Sequence, residues 1–339
     1  MHPFSSSNFR KTGLILSFIL IIFSNCQDKN ALREVKSTRM AMGTIIEITV
    51  LHSTESKANE AMEAAFAEIN RIGKEFYEGN PESEFYQFNH RTTDVVSFDD
   101  EKLALVRQAV DMSQKTAGAF DITAATLFPL YRFHGDSLRP PRQKDIDRLL
   151  PYVGYSYLQI DIVKHTLGAP NRVTAIGTGG IAKGYAVDRA IDILIDDEVT
   201  GAIVNAGGDL RVLPRRDGKA WRVGIQDPRN LNSILKILEV YDGAVVTSGD
   251  YQKFFIYEGK RYHHILNPQT GTPADSCRSV TVIAPTAEQA DAMATGLFIN
   301  GPEWGLAHFD RFPGCDALWI RHDGKIFMTD GFQQHLSQN

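Results

Sequence analysis

The stretch Phe254-Phe-Ile-Tyr-Glu-Gly-Lys-Arg-Tyr-His-His-Ile265 decides the fold class of this chain. Two short apolar runs, Phe254–Tyr257 and Tyr262–Ile265, flank Glu258-Gly259-Lys260-Arg261, a hairpin signal and hence an antiparallel pair. Leu318–Arg321 and Ile326–Thr329 flank His322-Asp323-Gly324-Lys325 in the same way. Further strands are expected at Thr44–Val50, where Ile46, Ile48 and Val50 share one face, and at Ala202–Asn205, Trp221–Ile225, Ile234–Val240 and Ala244–Thr247. Met62, Phe66, Ile69 and Ile72 recur at helical spacing within Ala58–Gly73, and helices are also expected over Asp100–Thr116 and Ile181–Ile195. Helices that alternate irregularly with hairpins imply an α+β fold, a single mixed domain rather than a doubly wound parallel sheet.

The composition agrees with such a domain. The chain has 339 residues, 43% of them hydrophobic and 10% aromatic, which supports a sizeable core and excludes intrinsic disorder. A formal charge of −5 offers no basic surface for nucleic acid. At the start, Arg10 and Lys11 precede an apolar run, Leu14 to Phe23, that is too short to span a bilayer. This reads as an export signal over residues 1–25, cleaved before Cys26, whose sulfur then carries lipid. An ordinary signal peptide with Cys26 incidental is the alternative. Residues 26–37 then form a polar tether and 38–335 the folded domain, anchored to a membrane on its periplasmic or cell-surface side. Cys277 and Cys315 remain as a disulfide or as two buried thiols.

Several segments carry chemistry. Gly177-Thr-Gly-Gly-Ile-Ala-Lys-Gly-Tyr-Ala-Val-Asp188 sets glycines ahead of a helix, where backbone N–H groups and the helix dipole suit a phosphate and Lys183 adds a charge. A tight turn without ligand is the competing reading. Asn205-Ala-Gly-Gly-Asp209 is a second glycine-rich turn, which alone reads as a plain turn. Thr286-Ala-Glu-Gln289 has the form of a capping box. Beyond it Asp291 and Thr295 lie four residues apart, on one helical face, as hard-oxygen ligands for Mg²⁺ or as an exposed acid beside a packed threonine. His263 and His264 are adjacent on a strand, so at most one enters a given site, as general base or as a structural hydrogen-bonding group. Met42 and Phe120 would suit an aromatic ligand as readily as a core.

Taken together these segments resemble one family. The order Met42-Gly-Thr44, Ser83-Glu84, Phe88-Asn89, Gly118-Ala-Phe-Asp-Ile-Thr123, Gly179 to Asp188, Asn205 to Leu210, Trp221 to Pro228, Thr247 to Tyr251, His263 to Gly271 and Ala290 to Phe298 is similar to the FAD:protein FMN transferases of the ApbE type. That resemblance implies a T-fold-like architecture, Mg²⁺ dependence, export and a lipid anchor. It also implies cleavage of FAD, transfer of FMN to a threonine hydroxyl on an Nqr- or Rnf-like redox protein, and release of AMP. By position it assigns FAD contacts to Met42, Tyr77, Ala119, Phe120, Asp121, Gly177, Lys183 and Ile265. The metal falls to the Gly180 carbonyl, Asp291 and Thr295, and activation of the acceptor to His264. Gly177 stands where many members have Asp, Asn267 where Asp is common, and Tyr131-Arg132-Phe133 replaces the frequent Trp-Gly-Phe. Two alternatives are an FAD pyrophosphatase that uses water in place of threonine, and a non-catalytic flavin-binding lipoprotein.

Overall fold

The computed structural model describes residues 32–133, 138–197 and 199–338, which lie in one compact unit beginning at Leu32. The expected signal segment and Cys26 lie outside the described residues. Elements are numbered in chain order. An eight-stranded sheet runs β1 (Arg33–Ala41), β2 (Thr44–His52), β6 (Ala202–Ala206), β7 (Asp209–Leu213), β10 (Gly243–Gly249), β13 (Ser279–Ala284), β14 (Asp316–Ile320) and β15 (Ile326–Met328). Every pairing in it is antiparallel, as the hairpin signals imply. Two separate hairpins, β8 (Trp221–Asp227) with β9 (Asn230–Val240) and β11 (Phe254–Tyr257) with β12 (Lys260–His263), complete the fold with a small sheet of β3 (Val95–Ser97), β4 (Gln159–Asp161) and β5 (Thr166–Gly168).

The sheet separates two cores because strand residues alternate between its faces. On one face Ile46, Ile48, Val204, Val246 and Val282 pack under helices α1 (Glu55–Glu75), α5 (Ala182–Asp196) and α6 (Ala287–Ala307). Helices α2 (Glu84–Asn89), α3 (Asp100–Lys115) and α4 (Gln143–Leu149) fall between α1 and α5 in the chain. On the other face Leu210, Val212, Val245 and Ile283 meet Trp221, Ile225, Leu238 and Phe332. The apolar stripe of α1 is buried as its spacing requires: Met62, Phe66, Ile69 and Ile72 are all 2% exposed or less.

Most boundaries shift by a few residues, and three of the differences bear on the chain ends and the site hairpin. Arg33–Ser37, expected in the tether, belong to β1 and pair with Ile48–His52. This edge strand is held by its backbone ladder and keeps polar side chains at the solvent. The chain also stays paired beyond His335, since Ser337 N–H donates to the Ile237 carbonyl at 2.8 Å. The turn between β11 and β12 is two residues, not four: Glu258 and Gly259 have φ of 48° and 76°, the pattern of a tight hairpin turn. Lys260 and Arg261 are therefore strand residues, and β12 ends at His263.

Candidate functional site

Helix α5 opens immediately after the Gly179-Gly180 turn, and Lys183 stands in its first turn. Its ammonium pairs with Asp209, the first residue of β7, and with Asp291 Oδ2 at 3.3 Å. Both carboxylates are 3% exposed. Burial opposes the charge on Lys183, but the two acids outweigh it and hold the amine above its ordinary value. Burial and the neighbouring Asp209 charge push Asp291 well above the usual carboxylate range, against the pull of Lys183 and the Gly184 N–H.

Asp291 is aimed by a tight crossing of α5 and α6. A Cβ on Gly184 would lie 2.1 Å from the Ala287 carbonyl oxygen, so only glycine permits this approach. The Gly184 N–H donates to Asp291 Oδ2 at 3.2 Å. One helical turn on, Asp188 accepts the Ala287 and Glu288 N–H groups at 2.9 and 2.8 Å and an Arg211 N–H at 2.9 Å, capping α6 from a neighbouring helix. Thr286 caps the same end, accepting Gln289 N–H at 3.3 Å. The capping box is only half made, because the Gln289 amide turns to Cys315 Sγ. Cys277 and Cys315 are both free, buried thiols, which decides between the two readings left open by the sequence.

Thr295, four residues beyond Asp291, brings its hydroxyl to 3.5 Å from where a Cβ on Gly180 would stand, and the Phe120 ring comes to 3.2 Å of that point. Gly180, Thr295 and Phe120 are thus one cluster on the Asp291 side of the helix. A carboxylate, a hydroxyl and a main-chain carbonyl form a hard-oxygen donor set that fits Mg²⁺. Among the described residues no group of three His, Cys, Asp or Glu side chains is placed to hold a metal, so Asp291 carries the charge of this set.

Other predicted residues divide between rim and interior. Tyr77 is 57% exposed at the rim. Next to it the Thr178 hydroxyl lies 2.8 Å from the Phe76 carbonyl and 3.2 Å from a Glu78 carboxylate oxygen. A Cβ on Gly177 would meet Ala125 Cβ at 3.0 Å and Glu78 Oε1 at 3.5 Å. The preceding residue is clamped by Asn89, whose amide accepts from Ile176 N–H and donates to its carbonyl, both at 2.8 Å. Met42, with φ of 49°, leans its side chain on Gly73 of α1. Ala119 and Ile265 are buried in the core. The Asp121 carboxylate points inward, accepting Thr123 N–H, Thr123 hydroxyl and Tyr155 N–H at 2.8, 2.6 and 2.7 Å, so it braces a loop.

The adjacent histidines separate as strand parity requires. His263 is 4% exposed and uses both ring nitrogens, Nε2–H to the Ala274 carbonyl at 2.8 Å and Nδ1 from Ile265 N–H at 3.3 Å. Among the described residues His264 spends only Nδ1, 3.2 Å from the Lys253 carbonyl. A carbonyl only accepts, so Nδ1 carries the proton and Nε2 presents a lone pair. Burial, with smaller help from the Lys253, His263 and Lys183 charges, lowers its pKa to about 4. His264 is therefore neutral at physiological pH.

Sequence reasoning missed the role of Asp209, which it left in a plain turn, and passed over Glu78. Asp209 had a signal, an acid opening an apolar strand directly after two glycines. Glu78 had none.

Comparison with known proteins follows this geometry. The ApbE family model matches residues 42–319. The FAD:protein FMN transferase of Vibrio cholerae is 30% identical over 340 residues, covering 97% of this chain and 98% of that protein. The FAD:protein FMN transferase of Treponema pallidum is 28% identical, covering 96% of this chain and 95% of that protein. The crystal structure of the ApbE protein from Thermotoga maritima superposes with a TM-score of 0.83 at 32% identity, covering 90% of this chain and all of that one. With its antiparallel sheet, its α5–α6 crossing and its lysine held between two acids, this chain is an enzyme that belongs to the ApbE family.

Proposed function

We propose that the protein transfers FMN from FAD to a threonine hydroxyl of a target redox protein and releases AMP, with Mg²⁺ required. The observation that carries this reading is the Lys183 ammonium, set between the buried carboxylates of Asp209 and Asp291 at the start of α5. The Gly179-Gly180 turn brings backbone close to a pyrophosphate, and the Lys183 ammonium with the α5 dipole supplies the favourable charge, since the N–H groups of Ile181, Ala182 and Gly184 are already bonded within the protein. Met42 and Tyr77 line the approach of the dinucleotide, while the buried Ala119, Phe120, Asp121, Gly177 and Ile265 shape it from beneath. Mg²⁺, when bound, would be held by Asp291, Thr295 and the Gly180 carbonyl and would neutralise pyrophosphate charge.

In the transfer itself the threonine oxygen forms a new bond to the FMN phosphorus. The phosphoanhydride P–O bond breaks, and AMP leaves with that electron pair. The hydroxyl proton passes to Nε2 of His264, which its Nδ1–H bond to Lys253 holds in the accepting tautomer. A resident lipid on Cys26 would keep this chemistry at the outer side of a membrane, next to Nqr- or Rnf-like subunits. Incubation with FAD, Mg²⁺ and a folded FMN-binding domain bearing an Asp-x-(Ser/Gly)-x-Thr-like loop tests the reading. Covalent in-gel flavin fluorescence on that domain with stoichiometric AMP is expected. FMN and AMP without labelled domain would mean that water is the acceptor.

A further inference from the structure

A cleft of about 320 Å³ opens over the sheet face that carries Leu210 and Val245, reaches the Gly207-Gly208 turn that leads into Asp209, and is lined by none of the site residues assigned above. Its floor and walls are Leu210, Val245 and Thr247 of the sheet, the Gly207-Gly208 turn, and four consecutive residues of β8, Val223 to Gln226. Consecutive strand residues point to alternate faces, so a cleft that touches all four runs along the strand's backbone edge. Among the described residues β8 pairs only with β9, and no other backbone hydrogen bond reaches Arg222–Gln226. The far edge of β8 is thus an unpaired strand edge facing a cleft. Its register with β9 shifts at Ile225/Gln226 and again at Gln226/Asp227, an irregularity that turns the edge away from the hairpin plane.

Both flanks of the cleft touch the reaction site through single peptide bonds. Gly208 precedes Asp209, the partner of Lys183. Gln252 precedes Lys253, whose carbonyl holds His264. No charged side chain lines the cleft; its polar groups are the amides of Asn205, Gln226 and Gln252 and the hydroxyls of Thr247 and Tyr251. A nucleotide phosphate finds no cation there, whereas an extended polypeptide finds ladder partners and neutral side-chain contacts.

We infer that an extended, uncharged segment of the acceptor protein docks in this cleft as an added strand on β8, and that its continuation delivers the threonine between Asp209 and His264. This rests on the transfer reading above. The test uses the mature chain with FAD, Mg²⁺ and the FMN-binding domain of the flavinylation assay. Gln226→Trp and Gln252→Trp each place a ring in the cleft at exposed positions outside the catalytic machinery. Each should raise the KM for the domain by roughly tenfold, the weight of a single interface anchor. FAD affinity, read from flavin fluorescence quenching, should not change. Binding of the domain should slow hydrogen exchange over Arg222–Gln226, and FAD alone should not. Wild-type KM in both variants, or exchange protection by FAD alone, overturns the inference while labelling by the wild type upholds transfer. Absence of labelling by the wild type overturns the transfer reading, and this inference with it.

Discussion

Replacing Gly184 by alanine adds one methyl group where α5 crosses the start of α6. That carbon would stand 2.1 Å from the Ala287 oxygen, 2.5 Å from its carbonyl carbon and 2.7 Å from Glu288 N. Ordinary contact needs about 3.5 Å, so the helices must part locally by roughly 1 Å or more. The opposing atoms are backbone and cannot rotate away, which puts the cost at the upper end of overpacking, about 3 kcal/mol. Alanine returns roughly 0.5–1 kcal/mol through lower unfolded-state entropy in a helix. A net loss of about 2 kcal/mol lowers the melting temperature of a domain this large by roughly 3 °C. Separation also breaks the Gly184 N–H bond to Asp291 and pulls that carboxylate from Lys183. Thermal unfolding followed by circular dichroism, with flavin transfer on the same samples, is the assay. A Gly184→Ala protein with unchanged melting temperature and full transfer would refute the claim that this crossing sets the site.

His264→Ala should lower transfer by about 10²–10⁴-fold with FAD binding retained, whereas His263→Ala should first show in stability, because it leaves the Ala274 carbonyl and Ile265 N–H without their partner. The folded His264 pKa lies below 6.5 at about 4, so any acidic limb that it imposes on the transfer rate should sit near 4. Its contribution to stability is complete above the unfolded value and is lost as pH falls toward that of the folded state, when the unfolded chain takes the proton first; urea midpoints across this window check the sign. Asp291→Ala should abolish Mg²⁺-dependent AMP release, and Thr295→Ala should leave partial activity that recovers at high Mg²⁺; near-normal kinetics for Asp291→Ala would remove the metal from this site. Cys26→Ser should move the mature protein from the membrane to the soluble fraction, and wild-type protein that is soluble and unlipidated would contradict the anchor.

The readable parts of this chain were those with local periodicity. α1, α3 and α5 declared themselves through their apolar stripes, and β2, β10, β11 and β14 through alternation or turn signals. β13 was not identified because all six residues of Ser-Val-Thr-Val-Ile-Ala are buried on both faces, which erases the period of two. β7 was hidden by Asp209 and Arg211, polar residues on its helix-facing side that are neutralised by Lys183 and Asp188. β1 lacks an apolar face because it is an edge. The site followed the same division. Asp291 and Thr295 were paired by helical spacing, and the histidines were separated by strand parity. The Lys183–Asp209–Asp291 group spans separations of 26 and 108 positions, which no local pattern encodes.

The lysine between two acids has a consequence for how the protein lives without ligand. Where buried carboxylates share a site with no resident cation, their mutual repulsion and desolvation stay unrelieved until an ion binds. Here the chain supplies its own counter-ion, so Asp291 is neutralised before any divalent cation arrives. A cation entering this site competes with a resident ammonium that is tethered and cannot diffuse away. That competition relaxes once a phosphate anion gives Lys183 another partner. Filling the site is then an exchange of partners among fixed charges, and the lysine keeps the two buried acids balanced while the site is empty.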